Sequence, residues 1–448
     1  MPTKSAQSPA NRNRRRAAAK AATQRVAKAG QGVRRAIASQ RKPARIGLAL
    51  AGGGPLGAIY EIGALAALEE SLQGVDFNDL EIYVGVSAGG VITAALANGI
   101  TARDMSMAFI ENEENTARAD VFDPAILLQP AFAEYWARLL SLPPLIASAT
   151  FNYLLRPQSL MASFERLGNA IPTGLFSGEG LHKYLAALFS SSGRTNQFKH
   201  LKKRLVVVAT DLDSGEPVTF GMPGMDDVPI SKAVQASTAL PGLFPPVQIK
   251  GRYYLDGALK RTLHASIALK HGVDLLLCLN PLVPYVAGQK PAKGNEIQTH
   301  SALHEGGLPT ILSQTFRSII HSRMEVGMER YVHQFPHSDI VLFEPDHADP
   351  EFFFTNMFSY SQRRRLCEHA YQRTRRELWE RRHEIGPTLA KHGVRIDLDA
   401  LTDASRTLVA GAKAPLAGLP MSGFAAARLQ DALDDLDRYL KVAAARAA

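Results

Sequence analysis

The stretch Glu81-Ile-Tyr-Val-Gly-Val-Ser-Ala-Gly-Gly90 places Ser87 at the centre of a Gly-x-Ser-x-Gly pentapeptide, directly after an apolar, β-like run. Apolar Ile82, Tyr83 and Val84 come before it. Val91, Ile92, Ala94, Ala95 and Leu96 come after it, up to a stop at Gly99. A strand, a sharp turn and a helix are therefore expected, with the serine hydroxyl presented at the turn as in a nucleophile elbow. The turn brings its flanks close together, which suits glycine at Gly85 and Gly89.

Upstream, Ile46-Gly-Leu-Ala-Leu-Ala51 has the character of a short buried strand, and Gly52-Gly-Gly-Pro-Leu-Gly57 follows it at once. A helical pattern then begins, with Ile59, Ile62, Leu65 and Leu68 on one stripe. A glycine loop opening a helix presents bare backbone N–H groups in a positive helix-end potential. Such a loop suits a phosphate or the oxyanion of an ester under attack, and the alternative is glycine used for tight packing. Pro55, Leu56 and Gly57 stand where a P-loop would carry its Lys-Ser/Thr ending, and the glycine spacing is not that of a dinucleotide fingerprint. Beside a nucleophilic serine, the oxyanion role fits best.

Downstream, Lys203-Arg-Leu-Val-Val-Val-Ala-Thr-Asp-Leu-Asp213 is a β-branched run expected to be a central parallel strand. Ala236-Ser-Thr-Ala-Leu-Pro241 follows, and then Arg252-Tyr-Tyr-Leu-Asp-Gly-Ala258, which puts Asp256 at a strand end before the Gly257 turn. Taken alone, Asp-Gly is an ordinary turn dipeptide.

These four motifs, in this order, resemble the patatin-like phospholipases over roughly residues 45 to 285. The resemblance implies a three-layer α/β/α fold with a central, mostly parallel sheet, a nucleophile elbow and helical additions. It also implies a Ser–Asp dyad without histidine, with Ser87 as nucleophile and Asp256 as base, and an oxyanion hole from the amides of Gly52, Gly53 and Gly54. Leu56 departs from the pattern, because the family usually has Arg or Lys there, and the backbone donors are untouched by that change. The implied activity is a lipase or phospholipase A-type acyl hydrolase that works through an acyl-enzyme on a lipid ester such as a phospholipid. Two alternatives stand beside it. One is a Ser-His-Asp α/β-hydrolase with a downstream histidine, His264 and His271 lying on an ordinary helix-like segment. The other is a non-catalytic protein that binds a membrane, granule or nucleic acid through a basic tail.

The 448 residues carry a net charge of +9, with 46% apolar residues to supply a core. Thirteen of the 51 Lys and Arg lie in residues 1–45, which contain no Asp or Glu, so the remainder carries 38 basic against 42 acidic residues. Residues 1–44 are expected to be a basic, disordered tail. That tail is either solvated or attracted to an anionic membrane or another polyanion; specific nucleic-acid binding is not expected. No apolar signal region follows its charges, although a mitochondrial-type presequence has similar composition. Cys278 and Cys367 suggest no disulfide framework, and no metal or cofactor is expected. The expected location is cytoplasmic, with peripheral contact to a membrane.

Residues 45–285 form the expected catalytic domain, interrupted at 103–175 by a helical insertion or lid with Phe132, Tyr135, Trp136, Leu139, Leu140 and Leu142. The charge-free run 139–155 holds Pro143-Pro144, which argues against a spanning helix. Residues 286–395 are expected to continue the body: a loop over 285–307, helices over 308–335 and 361–391 with Arg on solvated faces, and a strand near 337–343. The Ala-rich extension 396–448 is expected to end in an amphipathic helix carrying Leu429, Leu433, Leu436 and Leu440.

Overall fold

Five consecutive buried residues, Ile46–Leu50, form a strand (β1) covered on both faces inside a sheet. The computed structural model describes residues 43–109, 126–127, 129–132, 135, 172–286, 307–354 and 360–409. After β1 come α1 (Gly54–Ser71), β2 (Leu72–Gln73), β3 (Ile82–Val86), α2 (Ala88–Ala97) and α3 (Ala102–Phe109). Then follow α4 (Glu179–Phe189), β4 (Arg204–Asp211), β5 (Pro217–Phe220), α5 (Ile230–Ser237), β6 (Val247–Ile249), β7 (Arg252–Asp256), α6 (Ser266–Lys270) and β8 (Leu275–Leu279). The last described elements are α7 (Gly307–Gln334), β9 (Asp339–Phe343), α8 (Pro350–Phe354), α9 (Tyr360–Lys391), β10 (Arg395–Ile396) and α10 (Leu398–Thr402). Residues 1–44 are a separate unit from the rest and, except for 43 and 44, lie outside the described residues. Also outside them are Trp136, the run 139–155, residues 287–306 of the expected loop and the C-terminal segment with Leu429 to Leu440.

The main sheet has the order β6-β7-β4-β3-β1-β8-β9, with β5 also paired to β4. From β4 to β9 its pairs are all parallel, whereas β4–β5, β4–β7 and β6–β7 are antiparallel. Strand β4 was expected to be a central parallel strand. It is parallel to β3 but forms the border between the two parts, because β5 returns onto it by a short hairpin and β7 pairs with it antiparallel after α5 and β6.

That border sets the site. The register places Val86, the last residue of β3, opposite Val208. It places Asp256, the last residue of β7, opposite Ala209. The partners are consecutive on β4, about 3.3 Å apart along a strand. The residue after Val86 and the side chain of Asp256 therefore meet at one point of the sheet.

The alternation of side chains across the strands builds two cores. One face carries Ala49, Ile82, Val84, Val86, Val206, Val208, Leu276 and Cys278, packed with α6 residues Ala268 and Leu269 and with Met324 and Tyr331 of α7. On the other, α2 packs against β1, β3 and β4, α1 packs on α2, and α9 covers α1. This is a three-layer α/β/α arrangement.

Helix α1 was expected to bury one stripe. It is buried on nearly every side, because α9 closes on the face away from α2. A Cβ at Gly63 would lie 2.3 Å from the Cys367 carbonyl oxygen, so the two backbones need glycine there to approach. Glu61 is fully buried with both carboxyl oxygens unpartnered, and burial pushes its pKa well above the usual carboxylate value. The arginines of α9 are not all solvated either. Arg375 is buried and donates to the carbonyls of Ala400 and Asp403, closing the end of α10. No helix among the described residues is long and apolar enough to cross a membrane.

Candidate active site

Ser87 occupies the turn between β3 and α2 with φ 51° and ψ −122°, a left-handed backbone that non-glycine residues rarely adopt. Such strain persists only where the surroundings over-determine it. The Ser87 N–H donates to Ser237 Oγ at 2.8 Å, and Ser237 Oγ donates onward to the Val208 carbonyl at 2.6 Å. On the other side, the Ser87 carbonyl accepts from the Gly90 N–H at 2.9 Å. Both flanking glycines are required by space. A Cβ at Gly85 would lie 2.1 Å from Thr93 Oγ1, and one at Gly89 2.6 Å from the Ala51 carbonyl oxygen. The hydroxyl was expected to be exposed at the tip of the elbow; instead Ser87 is 6% exposed, because the segments around 52 and 256 close over it.

Asp256 is buried beside it. Its Oδ2 accepts from the Ser87 hydroxyl at 2.6 Å, and its Oδ1 from the Ala258 N–H at 2.8 Å. Its own N–H donates to the Ala239 carbonyl, which ties the Ala-Ser-Thr-Ala segment to the end of β7. Removal from water disfavours the carboxylate more than the two donors favour it, and the pKa rises from 3.8 to about 6. Gly257 cannot be replaced without collision, since a Cβ there would lie 2.3 Å from the Val208 carbonyl oxygen.

The glycine loop lies against the serine. A Cβ on Gly52 would come within 3.1 Å of Ser87 Cβ, so the loop backbone passes directly over the nucleophile turn. Gly53 and Gly57 pack on Pro281, where Cβ atoms would approach its ring to 2.5 and 3.0 Å. Gly54 has φ +60°, which glycine alone adopts without cost. The loop caps α1, whose first N–H groups have no intrahelical acceptor and whose dipole favours negative charge. Three elements distant in sequence thus converge: the loop after β1, the elbow after β3 and the end of β7. Chemically, they offer a hydroxyl, a proton acceptor of suitable pKa and backbone donors at a helix N-terminus.

The histidines stand apart. His264 is buried with φ 47°, its Nε2 is 3.4 Å from the Gly257 carbonyl oxygen, and burial lowers its pKa to about 4. His271 lies near Glu81, away from the dyad. Among the described residues no histidine nitrogen is hydrogen-bonded to Ser87 or Asp256. No group of His, Cys, Asp or Glu suited to a metal occurs among them either, and Cys278 and Cys367 are free and buried. Sequence reasoning did not single out Ser237, which sits inside a recognised motif, or Pro281, whose only signal is its place just after β8.

Residues 48–269 match the patatin-like phospholipase family. A protein of invertebrate iridescent virus 6 named probable lipid hydrolase 463L is 21% identical over 225 residues, covering 49% of this chain and 62% of its own. The uncharacterized protein R571 of Acanthamoeba polyphaga mimivirus is 24% identical over 225 residues, covering 50% of this chain and 60% of its own. The match therefore spans less than two thirds of these curated relatives. Among solved structures, VipD from Legionella pneumophila matches over 75% of this chain and 67% of its own, at 19% identity and a TM-score of 0.35.

Proposed function

We propose that this protein hydrolyses carboxyl esters of lipids through a Ser87–Asp256 dyad. The observation that carries the proposal is the 2.6 Å hydrogen bond from the Ser87 hydroxyl to a buried carboxylate whose pKa is raised to about 6. An ordinary aspartate is a feeble base at neutral pH, whereas one with a pKa near 6 is about nine-tenths ionised at pH 7 and accepts a proton more readily. As Ser87 Oγ bonds to the ester carbonyl carbon, its proton passes to Asp256 Oδ2. The amides of Gly52, Gly53 and Gly54 receive the developing oxyanion, each such donor being worth about 3 kcal/mol. Asp256 then protonates the departing alcohol oxygen and leaves an acyl-enzyme. Water attacks that ester with Asp256 again as base, and Ser87 leaves with the proton.

The choice of lipid rests on the family match of residues 48–269 and on the name of the iridescent virus relative. A phospholipid substrate and a peripheral position at a cytoplasmic membrane surface complete the reading. The test is turnover on phospholipids, neutral glycerides and a soluble short-chain ester by wild type, Ser87→Ala and Asp256→Asn. Losses of at least about a thousandfold in both variants, with unchanged circular dichroism, support the dyad. A histidine variant that matches those losses would replace it with a triad.

A further inference from the structure

Helix α7 has apolar residues on two faces, and among the described residues only one of them is covered. Its inner stripe is clamped to the segment behind the glycine loop. Gln314 exchanges hydrogen bonds with the Tyr285 backbone at 2.7 and 3.1 Å. Arg317 Nη1 reaches the carbonyls of Pro281 and Val283, and its guanidinium lies 5.5 and 5.3 Å from the Phe352 and Phe353 rings. Pro281 is the residue on which Gly53 and Gly57 pack, so this half of α7 is fixed beside the candidate oxyanion loop.

The outer stripe was expected to carry solvated arginine. It carries Ile311, Leu312, Phe316 and Ile319, which are 44, 45, 51 and 48% exposed. Contiguous exposed apolar surface of this kind marks an interaction site more often than solvated helix. The hydroxyls beside these residues do not offset that character. Thr315 Oγ1 donates to the Ile311 carbonyl and Ser318 Oγ to the Gln314 carbonyl, so both spend their protons on their own helix. The charge pattern indicates what covers the stripe. Residues 306–324 contain no Asp or Glu, and with Arg317 turned inward their exposed cation is Arg323, within a body that is otherwise net acidic. Apolar side chains beside an outward cation, with no anion in the same stretch, are complementary to an acyl layer beneath anionic phosphates.

We propose that the outer face of α7, from Ile311 to Arg323, docks on the surface of an anionic phospholipid layer and holds the glycine loop beside it. This rests on the lipid-hydrolase reading for its biological sense. The helix lies on the layer, with Phe316 and Ile319 among the outer acyl carbons and Arg323 at the phosphates. The buried Ser87 then faces substrate drawn from the layer.

The test is vesicle flotation of the full chain, using phosphatidylcholine with and without phosphatidylglycerol. Phe316→Asp/Ile319→Asp should weaken binding to both vesicle types at least tenfold, while the melting temperature and soluble-ester turnover stay unchanged. Phe316→Gln/Ile319→Gln gives the same reading should the Asp pair unfold. Arg323→Glu should weaken binding only where phosphatidylglycerol is present. Ser87→Ala should bind like wild type, so a failed hydrolase reading leaves the docking result intact. Wild-type affinity in the double variants would overturn the proposal. So would a wild-type dimer that the double variants dissociate, which would assign the face to a second copy of this chain.

Discussion

Replacing Asp256 with Asn should stabilise the fold while removing activity, and the gain should depend on pH in a defined direction. The Asn Oδ1 can still accept from the Ala258 N–H, and the Asn amide can donate to a Ser87 hydroxyl turned to accept, so both contacts have counterparts. What disappears is the ionisation of a buried carboxyl. With a folded pKa of about 6 against 3.8 in the unfolded chain, the folded state holds the proton more tightly. The wild type therefore has its full stability below about pH 3.8 and loses it as pH rises through 6. The complete loss is about 3 kcal/mol, at 1.36 kcal/mol per pKa unit. About half of it is already spent at pH 5, so the stability gap between the Asp256→Asn variant and wild type should widen by about 1.5 kcal/mol from pH 5 to pH 8. Paired urea unfolding at the two pH values measures this, because all other titrating groups cancel in the difference. A constant gap, or one that narrows as pH rises, would refute the claim that Asp256 is held in a desolvated, proton-favouring site.

The other predictions concern packing, the base and the tail. Gly85→Ala should cost about 1–3 kcal/mol and reduce turnover, since its Cβ would meet Thr93 Oγ1 at 2.1 Å; thermal unfolding together with soluble-ester kinetics checks both effects. Glu61→Met should raise stability at pH 8 by about 1–3 kcal/mol, because a buried carboxyl with no hydrogen-bond partner is replaced by an apolar chain of similar volume; urea unfolding at that pH reads the gain. His264→Asn should keep kcat within about tenfold, because asparagine tolerates the left-handed backbone and His264 touches neither Ser87 nor Asp256. Deleting residues 1–42 should leave soluble-ester hydrolysis unchanged and weaken binding to anionic vesicles in a salt-sensitive way; equal flotation of both proteins would remove the tail from lipid contact.

The parts of the site that were legible in sequence are those whose constraints are local. Gly85 and Gly89 must lack side chains because of atoms within eight residues or on the adjacent strand, and the pentapeptide records that directly. The order of motifs was enough to pair Ser87 with Asp256, 169 residues apart, only through the resemblance to a family. Physically, the pairing is made by β4, and no property of β4 as a sequence says that β3 and β7 end on its consecutive residues. Ser237 was illegible for the same reason: its hydrogen bond to the Ser87 N–H joins residues 150 apart. The all-round burial of α1 depends on α9, some 300 residues later, and a one-stripe pattern cannot announce a second cover. The outer face of α7 was misjudged because the arginines in its sequence suggested a solvated side, whereas Arg317 turns inward to carbonyls and aromatic rings.

The central claim, that Ser87 is the nucleophile and Asp256 the group that activates it, is tested most directly by covalent labelling with a fluorophosphonate followed by peptide mass spectrometry across pH. The account predicts one adduct, on the peptide containing Ser87. Its rate should rise about tenfold per pH unit below about 6 and level off above, as the carboxylate forms, and labelling should vanish in Asp256→Asn. An adduct on another residue, or a rate profile in Asp256→Asn identical to that of wild type, would contradict it.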